Sequence, residues 1–293
     1  MDIYEDLGCF KIGCAAGQKL HKVKDGETFG DDFCVSIKED GVSGILVYNK
    51  GELRMFSLSG KPLSNTAALL SGTRDNVPLE EGRVYFGEIV DATGLRSLEQ
   101  LSGTLNPNAK EVSTAPPMDF RVFDTVTVDE YVKGESCTPW EQRQSNIPES
   151  VRVLQSRGNM AEMLWQSVKE RDAEGIVFAR KSSPWLRGKR VRHLLKKVVE
   201  PRFDLKILDV EEGKGKREGM TGRLVLDFKG NRINADLGAG FDDKARRVML
   251  YHKNTYIGQV ATVKCLRVSS TGTNLRLAKV VEIRFDTLEE ASK

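Results

Sequence analysis

A chain of 293 residues, 39% hydrophobic and 30% charged, has an ordinary globular composition and is long enough for about two domains with cores that need no disulfides. Its 45 Lys+Arg against 42 Asp+Glu leave only +3, so overall charge announces no polyanionic partner and local clusters must be read instead. No apolar run reaches the roughly 18 residues that span a bilayer, and the acidic start MDIYEDLGCF lacks a leader's basic-then-apolar plan, so a soluble, cytoplasmic protein is expected.

In chain order, strand-like runs rich in β-branched and aromatic residues occupy 33–37, 44–48, 84–90, 120–128 and 175–179. The Ser-, Thr-, Asn- and Pro-rich segment 101–117 reads as a loop. Apolar residues at three- and four-residue spacings (Val151, Leu154, Met160, Met163, Leu164, Val168) predict a helix over 148–169. From Asp204 onward about five short strands (204–210, 222–228, 232–237, 258–268, 275–285) alternate with Gly-rich turns around one helical piece near 242–250. That pattern suits a small OB-type barrel, with Pro201 as the hinge and a boundary at about 203. The fold expected is therefore α+β: a strand-rich domain with a helical segment over 1–203, then an all-β domain over 204–293.

The chemistry available is limited by composition. Cys9, Cys14, Cys34, Cys137 and Cys265 form no CxxC pair, which argues against a disulfide framework or a zinc site. His21, His193 and His252 are scattered. Lysine and carboxylate chemistry is what remains.

Lys38-Glu39-Asp40-Gly41 closes the run 33–37, where a partly buried lysine can act as a nucleophile. Glycine at 41 would let the backbone approach a ligand closely. The nearby Lys24-Asp25-Gly26 mimics the pattern but has Val23 where the lysine is needed. Phe86-Gly87-Glu88-Ile89 puts a carboxylate inside an apolar strand, where an unpaired charge is costly. Phe123-Asp124 lies in another strand, and Glu174-Gly175 precedes a third. Residues 180–202 hold nine Lys and Arg against the single acid Glu200, and Leu194-Leu195-Lys196-Lys197-Val198 embeds two lysines in a strand, which favours a phosphate-facing site.

In this order and spacing, with Ser57-Leu58-Ser59-Gly60 and a final Leu275-Arg276…Arg284-Phe285-Asp286, the motifs resemble those of the covalent nucleotidyltransferase superfamily. The closest resemblance is to ATP-dependent DNA ligases of the minimal bacteriophage or viral type. It implies a nucleotidyltransferase domain with ATP-grasp-like antiparallel sheets, the site lying in the cleft between them, followed by an OB-fold domain.

It also implies roles. Lys38 would attack the α-phosphate of ATP and carry AMP, and Lys196, with Lys197, would contact the AMP phosphate and lower the pKa of Lys38. Ser36, Ile37, Gly41, Glu88 and Phe123 would hold the nucleotide, Ser36 at the adenine amino group, Glu88 at the ribose and Phe123 stacked on the base. Glu174, with Glu88, would hold Mg²⁺. Asp40 would serve the steps on the nick, and Arg276 and Arg284 the departing pyrophosphate. The partner implied is nicked duplex DNA, the cofactors ATP and Mg²⁺, and the state a monomer. RNA ligases and GTP-using capping guanylyltransferases of the same superfamily are the alternatives. The chain departs from the family pattern at Ser43 and Leu58, where arginines are usual, and at Phe86, Val198, Ala278 and Thr287. Arg54 or Lys61 is the candidate to replace the missing cation.

Overall fold

The computed structural model describes residues 1–9, 11, 15, 18–24, 26–112, 114–171 and 173–285. Cys14, Asp25, Asp286 and Thr287 lie outside them. The chain divides into two compact units, Met1–Val198 and Val199–Lys293.

Two sheets build the first unit. One has the order β1 (Lys19–Lys22), β11 (Arg190–Val198), β9 (Gly175–Arg180), β2 (Phe33–Ile37), β8 (Ser156–Arg157). It is mixed rather than wholly antiparallel, because β1 runs parallel to β11. The other is antiparallel, with the order β4 (Glu52–Ser57), β3 (Val42–Asn49), β5 (Arg83–Asp91), β6 (Met118–Thr127). β3 and β4 are joined by a two-residue turn in which Lys50 and Gly51 both have positive φ, 53° and 72°. That conformation matches the twist of the flanking strands and favours glycine. The short strands β7 (Glu135–Ser136) and β10 (Trp185–Leu186) pair with each other.

Helices α1 (Ile3–Leu7), α2 (Ala67–Asn76), α3 (Leu98–Leu105), α4 (Val128–Lys133), α5 (Trp140–Gln144) and α6 (Ala161–Glu170) complete the unit. Helix α3 overturns the expected loop at 101–105: Ser97 and Gln100 form a capping box, and Leu101 and Leu105 are buried. The helix expected over 148–169 is shortened to α6. Residues 156–157 instead pair as β8 with Cys34 and Val35 of β2, and Gly158 packs so tightly that a Cβ would lie 2.3 Å from the Gly30 carbonyl oxygen.

The second unit is a closed five-stranded barrel in the order β12 (Arg202–Glu212), β13 (Thr221–Phe228), β14 (Asn231–Leu237), β18 (Lys279–Arg284), β15 (Val260–Lys264). Helices α7 (Asp243–Tyr251) and α8 (Lys253–Tyr256) connect its third and fourth strands in sequence. Ile207, Leu224, Leu226, Val263 and Val280 fill its interior. This is the OB arrangement. The barrel begins before the expected boundary at 203, since Arg202 and Phe203 already pair with Lys264 and Val263. The run 275–285 is not one strand either. Leu277 takes a positive φ of 51° and is exposed, separating β17 (Leu275–Arg276), paired with β16 (Arg267–Val268), from β18.

Candidate active site

Lys38 leaves the end of β2 and is held there twice. Its backbone N–H donates to the Gly175 carbonyl at 2.8 Å. Its Nζ donates to Glu174 Oε2 at 2.8 Å, with both side chains largely shielded from solvent. The expected nucleophile and the expected metal ligand are thus direct neighbours. Across the cleft, on the second sheet, Glu88 of β5 is buried and accepts a hydrogen bond from Ser43 Oγ at 2.8 Å. Ser43 stands where an arginine is usual, and it spends its hydroxyl on orienting this carboxylate.

The glycines of these motifs serve backbone contacts. A Cβ at Gly41 would lie 2.2 Å from the Ile89 carbonyl oxygen, and one at Gly175 would lie 2.2 Å from that of Lys197. At Gly41 the close approach is made by the neighbouring strand β5. The packing brings Lys38, Asp40 and Glu174 close enough to Glu88 to set its charge.

Burial pushes the Glu88 carboxyl up to about 7, with Glu174 and Asp40 adding to the rise and Lys38 and the Ser43 hydroxyl opposing it. Its folded-state value therefore exceeds that of an unfolded carboxyl. The folded protein binds the extra proton, and stability falls as pH rises from about 4.5 through 7. Glu88→Gln removes that cost, which reaches about 3 kcal/mol at full ionisation. Thermal melts in metal-free buffer should show the variant increasingly more stable than the parent between pH 5 and 8. A stability difference that does not change with pH would contradict this account.

Lys196 of β11 pairs in register with Val177, and Ser36 of β2 pairs with Val177 from the other side. Its ammonium is held below the ordinary lysine value, first by burial and then by the charge of Lys38, with Glu174 opposing. Lys22, in register with Lys196, adds to the same positive field. Lys197 is not brought to this cleft. Strand alternation turns it to the opposite face, where its Nζ lies 4.5 Å from the centre of the Trp165 ring and 4.0 Å from Glu162 Oε2.

One cleft is lined by Ser36, Ile37 and Lys38 from the first sheet and by Ser43, Glu88 and Phe123 from the second. Phe123 is 40% exposed, a large apolar residue left open to solvent. Leu58 lines the cleft as well. Arg54 does not replace the missing cation: it pairs with Asp6 and Glu52 and is not part of the lining, and neither is Lys61. Among the described residues, no group of three or more His, Cys, Asp and Glu is placed to hold a metal.

In the second unit, Arg284 Nη2 donates to Asp204 Oδ2 at 2.8 Å, and Asp204 Oδ1 accepts from Thr262 Oγ1 at 2.6 Å. Arg276 stands opposite Arg267 in the β16–β17 hairpin.

Sequence reasoning missed Arg143. It is 1% exposed and grips Asp124 with two bonds, Nε to Oδ1 at 2.8 Å and Nη2 to Oδ2 at 2.9 Å. Its Nη1 donates to the Thr138 and Ser183 carbonyls. The one signal available was Asp124 itself, since a carboxylate in an apolar strand requires a cation.

Residues 212–284 match the family model for a DNA ligase OB-like domain. A probable DNA ligase of Anaeromyxobacter sp. is 24% identical over 253 residues, covering 82% of this chain and 44% of that protein. A DNA ligase of Nanoarchaeum equitans is 24% identical over 221 residues, covering 61% of this chain and 38% of that protein. The chain thus spans about half the length, or less, of these curated relatives. Among solved structures, Pmar-Lig_PreS3 superposes with a TM-score of 0.75 at 19% identity, covering 96% of this chain and 70% of that one. A Lig E DNA ligase, studied for DNA binding with a minimal scaffold, gives 0.71 at 18% identity, covering 94% and 100%. These likenesses establish the fold. Residues 212–284 are thus similar to a DNA ligase OB-like domain, and the chain is similar in sequence to a probable DNA ligase over 82% of its length.

Proposed function

We propose that this chain seals nicks in duplex DNA at the expense of ATP. The observation that carries the reading is that Lys38 and Glu88 line one cleft with Phe123, while Glu174 is bonded to Lys38 and the charge of Lys196 on β11 is felt beside them. Lys38 Nζ, as the neutral amine once its proton has passed to solvent, attacks the α-phosphorus, the bond to pyrophosphate breaks, and AMP is held through a P–N bond. The 5′-phosphate of the nick then takes AMP from Lys38. Finally the 3′-hydroxyl attacks that phosphate and AMP leaves.

The resemblance to ligases suggests each residue's part. Phe123 stacks on the base, and Lys196 sets a cation against the phosphate on which charge develops. Asp40 attends the steps on the nick, and Arg276 and Arg284 the departing pyrophosphate. Glu174 and Glu88 fit Mg²⁺: both are hard oxygen donors, and this ion is commonly held by one or two carboxylates with phosphate oxygens completing its shell. When bound, it would neutralise charge on the transferring phosphoryl group. Glu174 Oε2 also lies 2.8 Å from Lys38 Nζ.

Label transfer from α-labelled ATP, followed by a chase with nicked duplex DNA, tests the reading. Transfer of label to protein and then to DNA, with sealing, is the expected result; nicked RNA or labelled GTP serving equally well would redirect it. Grip on DNA by backbone contacts predicts steep loss of sealing with added salt. Phe123→Ala should raise the ATP concentration needed by about ten- to a hundredfold, since base–aromatic stacking contributes about 1–3 kcal/mol. Unchanged ATP dependence would remove the ring from the base site.

A further inference from the structure

We propose that Gln155 selects the base of the nucleotide, by presenting a hydrogen-bond acceptor to the amino group at position 6 of adenine. The inference rests on the ligase reading above and deepens it. Gln155 lines the same cleft as Lys38 and Phe123. It immediately precedes β8, which pairs antiparallel with β2 through Cys34↔Arg157 and Val35↔Ser156. Continuing that register sets Gln155 opposite Ser36, on the strand face that meets the cleft.

Its amide is orientated by a chain of hydrogen bonds that runs in one direction. The Phe123 carbonyl can only accept, and it takes Gln144 Nε2 at 3.0 Å. Gln144 is buried, so its remaining oxygen faces inward and accepts Gln155 Nε2 at 2.7 Å. Turning the Gln155 amide over would oppose two carbonyl oxygens in a poorly solvated place, which is costly. Gln155 Oε1 is therefore the atom left for the cleft. An acceptor fixed there pairs with the amino group of adenine and repels the carbonyl oxygen that guanine and hypoxanthine carry at the same position. The chain begins on the residue whose ring is proposed to stack on the base, so stacking and edge recognition share one rigid support.

Measuring label transfer from α-labelled ATP and α-labelled ITP with the same preparation isolates position 6 of the base, and the ratio is independent of how much of a variant is folded. The parent protein should favour ATP by at least about tenfold. Gln155→Leu should lower that ratio about tenfold, and Gln155→Lys, which replaces the acceptor by a donor, should lower it further. Gln144→Met should also lower it with Gln155 intact, because the amide is then free to turn. An ATP-to-ITP ratio unchanged in both Gln155→Leu and Gln144→Met would overturn the proposal. Failure of the parent protein to take label from any nucleotide would refute the ligase reading itself, and the proposal with it.

Discussion

Lys38→Ala should abolish covalent labelling by α-labelled ATP, a loss of at least about ten-thousand-fold, because no neighbouring group can take over the nucleophile's position. Lys196 is a neighbouring candidate, but it is carried on β11, and the bonds to Glu174 and Gly175 place Lys38 at the end of β2. Lys38→Arg keeps the charge beside Glu174 and should be equally inactive, which separates nucleophilicity from electrostatics. Sealing of a nick that already bears AMP on its 5′-phosphate should survive in both variants, since that step forms no bond to Lys38. Lys24→Ala is the matched control: Lys24 is exposed, absent from the cleft lining, and bonded through its backbone to Glu27. A labelled adduct persisting in Lys38→Ala would displace Lys38 from the reaction.

The legible part of the molecule was local. The strand runs at 33–37, 84–90 and 175–179 announce themselves by apolar content and punctuation, and each falls inside an observed strand. Lys38, Glu88 and Glu174 could be singled out because each interrupts or ends such a run. What could not be read depended on phase or on remote partners. Lys196 and Lys197 look alike in sequence; alternation puts one on the face of Leu194, which lines the cleft, and turns the other to Trp165 of α6, and only pairing with β9 fixes which. Gln155 was hidden in an expected helix, because Val151, Leu154 and Met160 happen to share helical spacing. Leu154 proves 90% exposed, and pairing with β2 overrides the periodicity. The expected continuous strand at 275–285 failed at Leu277, where a backbone reversal carries no residue-type signal.

Breaking the Asp124–Arg143 pair on one side should cost the first unit about 3–5 kcal/mol, the largest stability loss expected of any single change here. Asp124→Asn leaves a buried guanidinium short of its counter-ion, and Arg143→Met strands the carboxylate. The two losses should not add. In the double variant no buried charge remains uncompensated, so it should recover much of the stability. Recovery should stay incomplete, because Arg143 Nη1 also satisfies the Thr138 and Ser183 carbonyls, and each orphaned carbonyl costs about 1–3 kcal/mol. The guanidinium thus joins β6, the start of α5 and the turn before β10. Since Phe123 precedes Asp124 and its carbonyl is bonded to Gln144 of α5, the single variants that fold should also need more ATP for half-maximal labelling. Denaturant melts of the two singles and the double give the coupling directly. Additive losses would show that each residue acts alone, and would remove the pair as the support of the Phe123 ring.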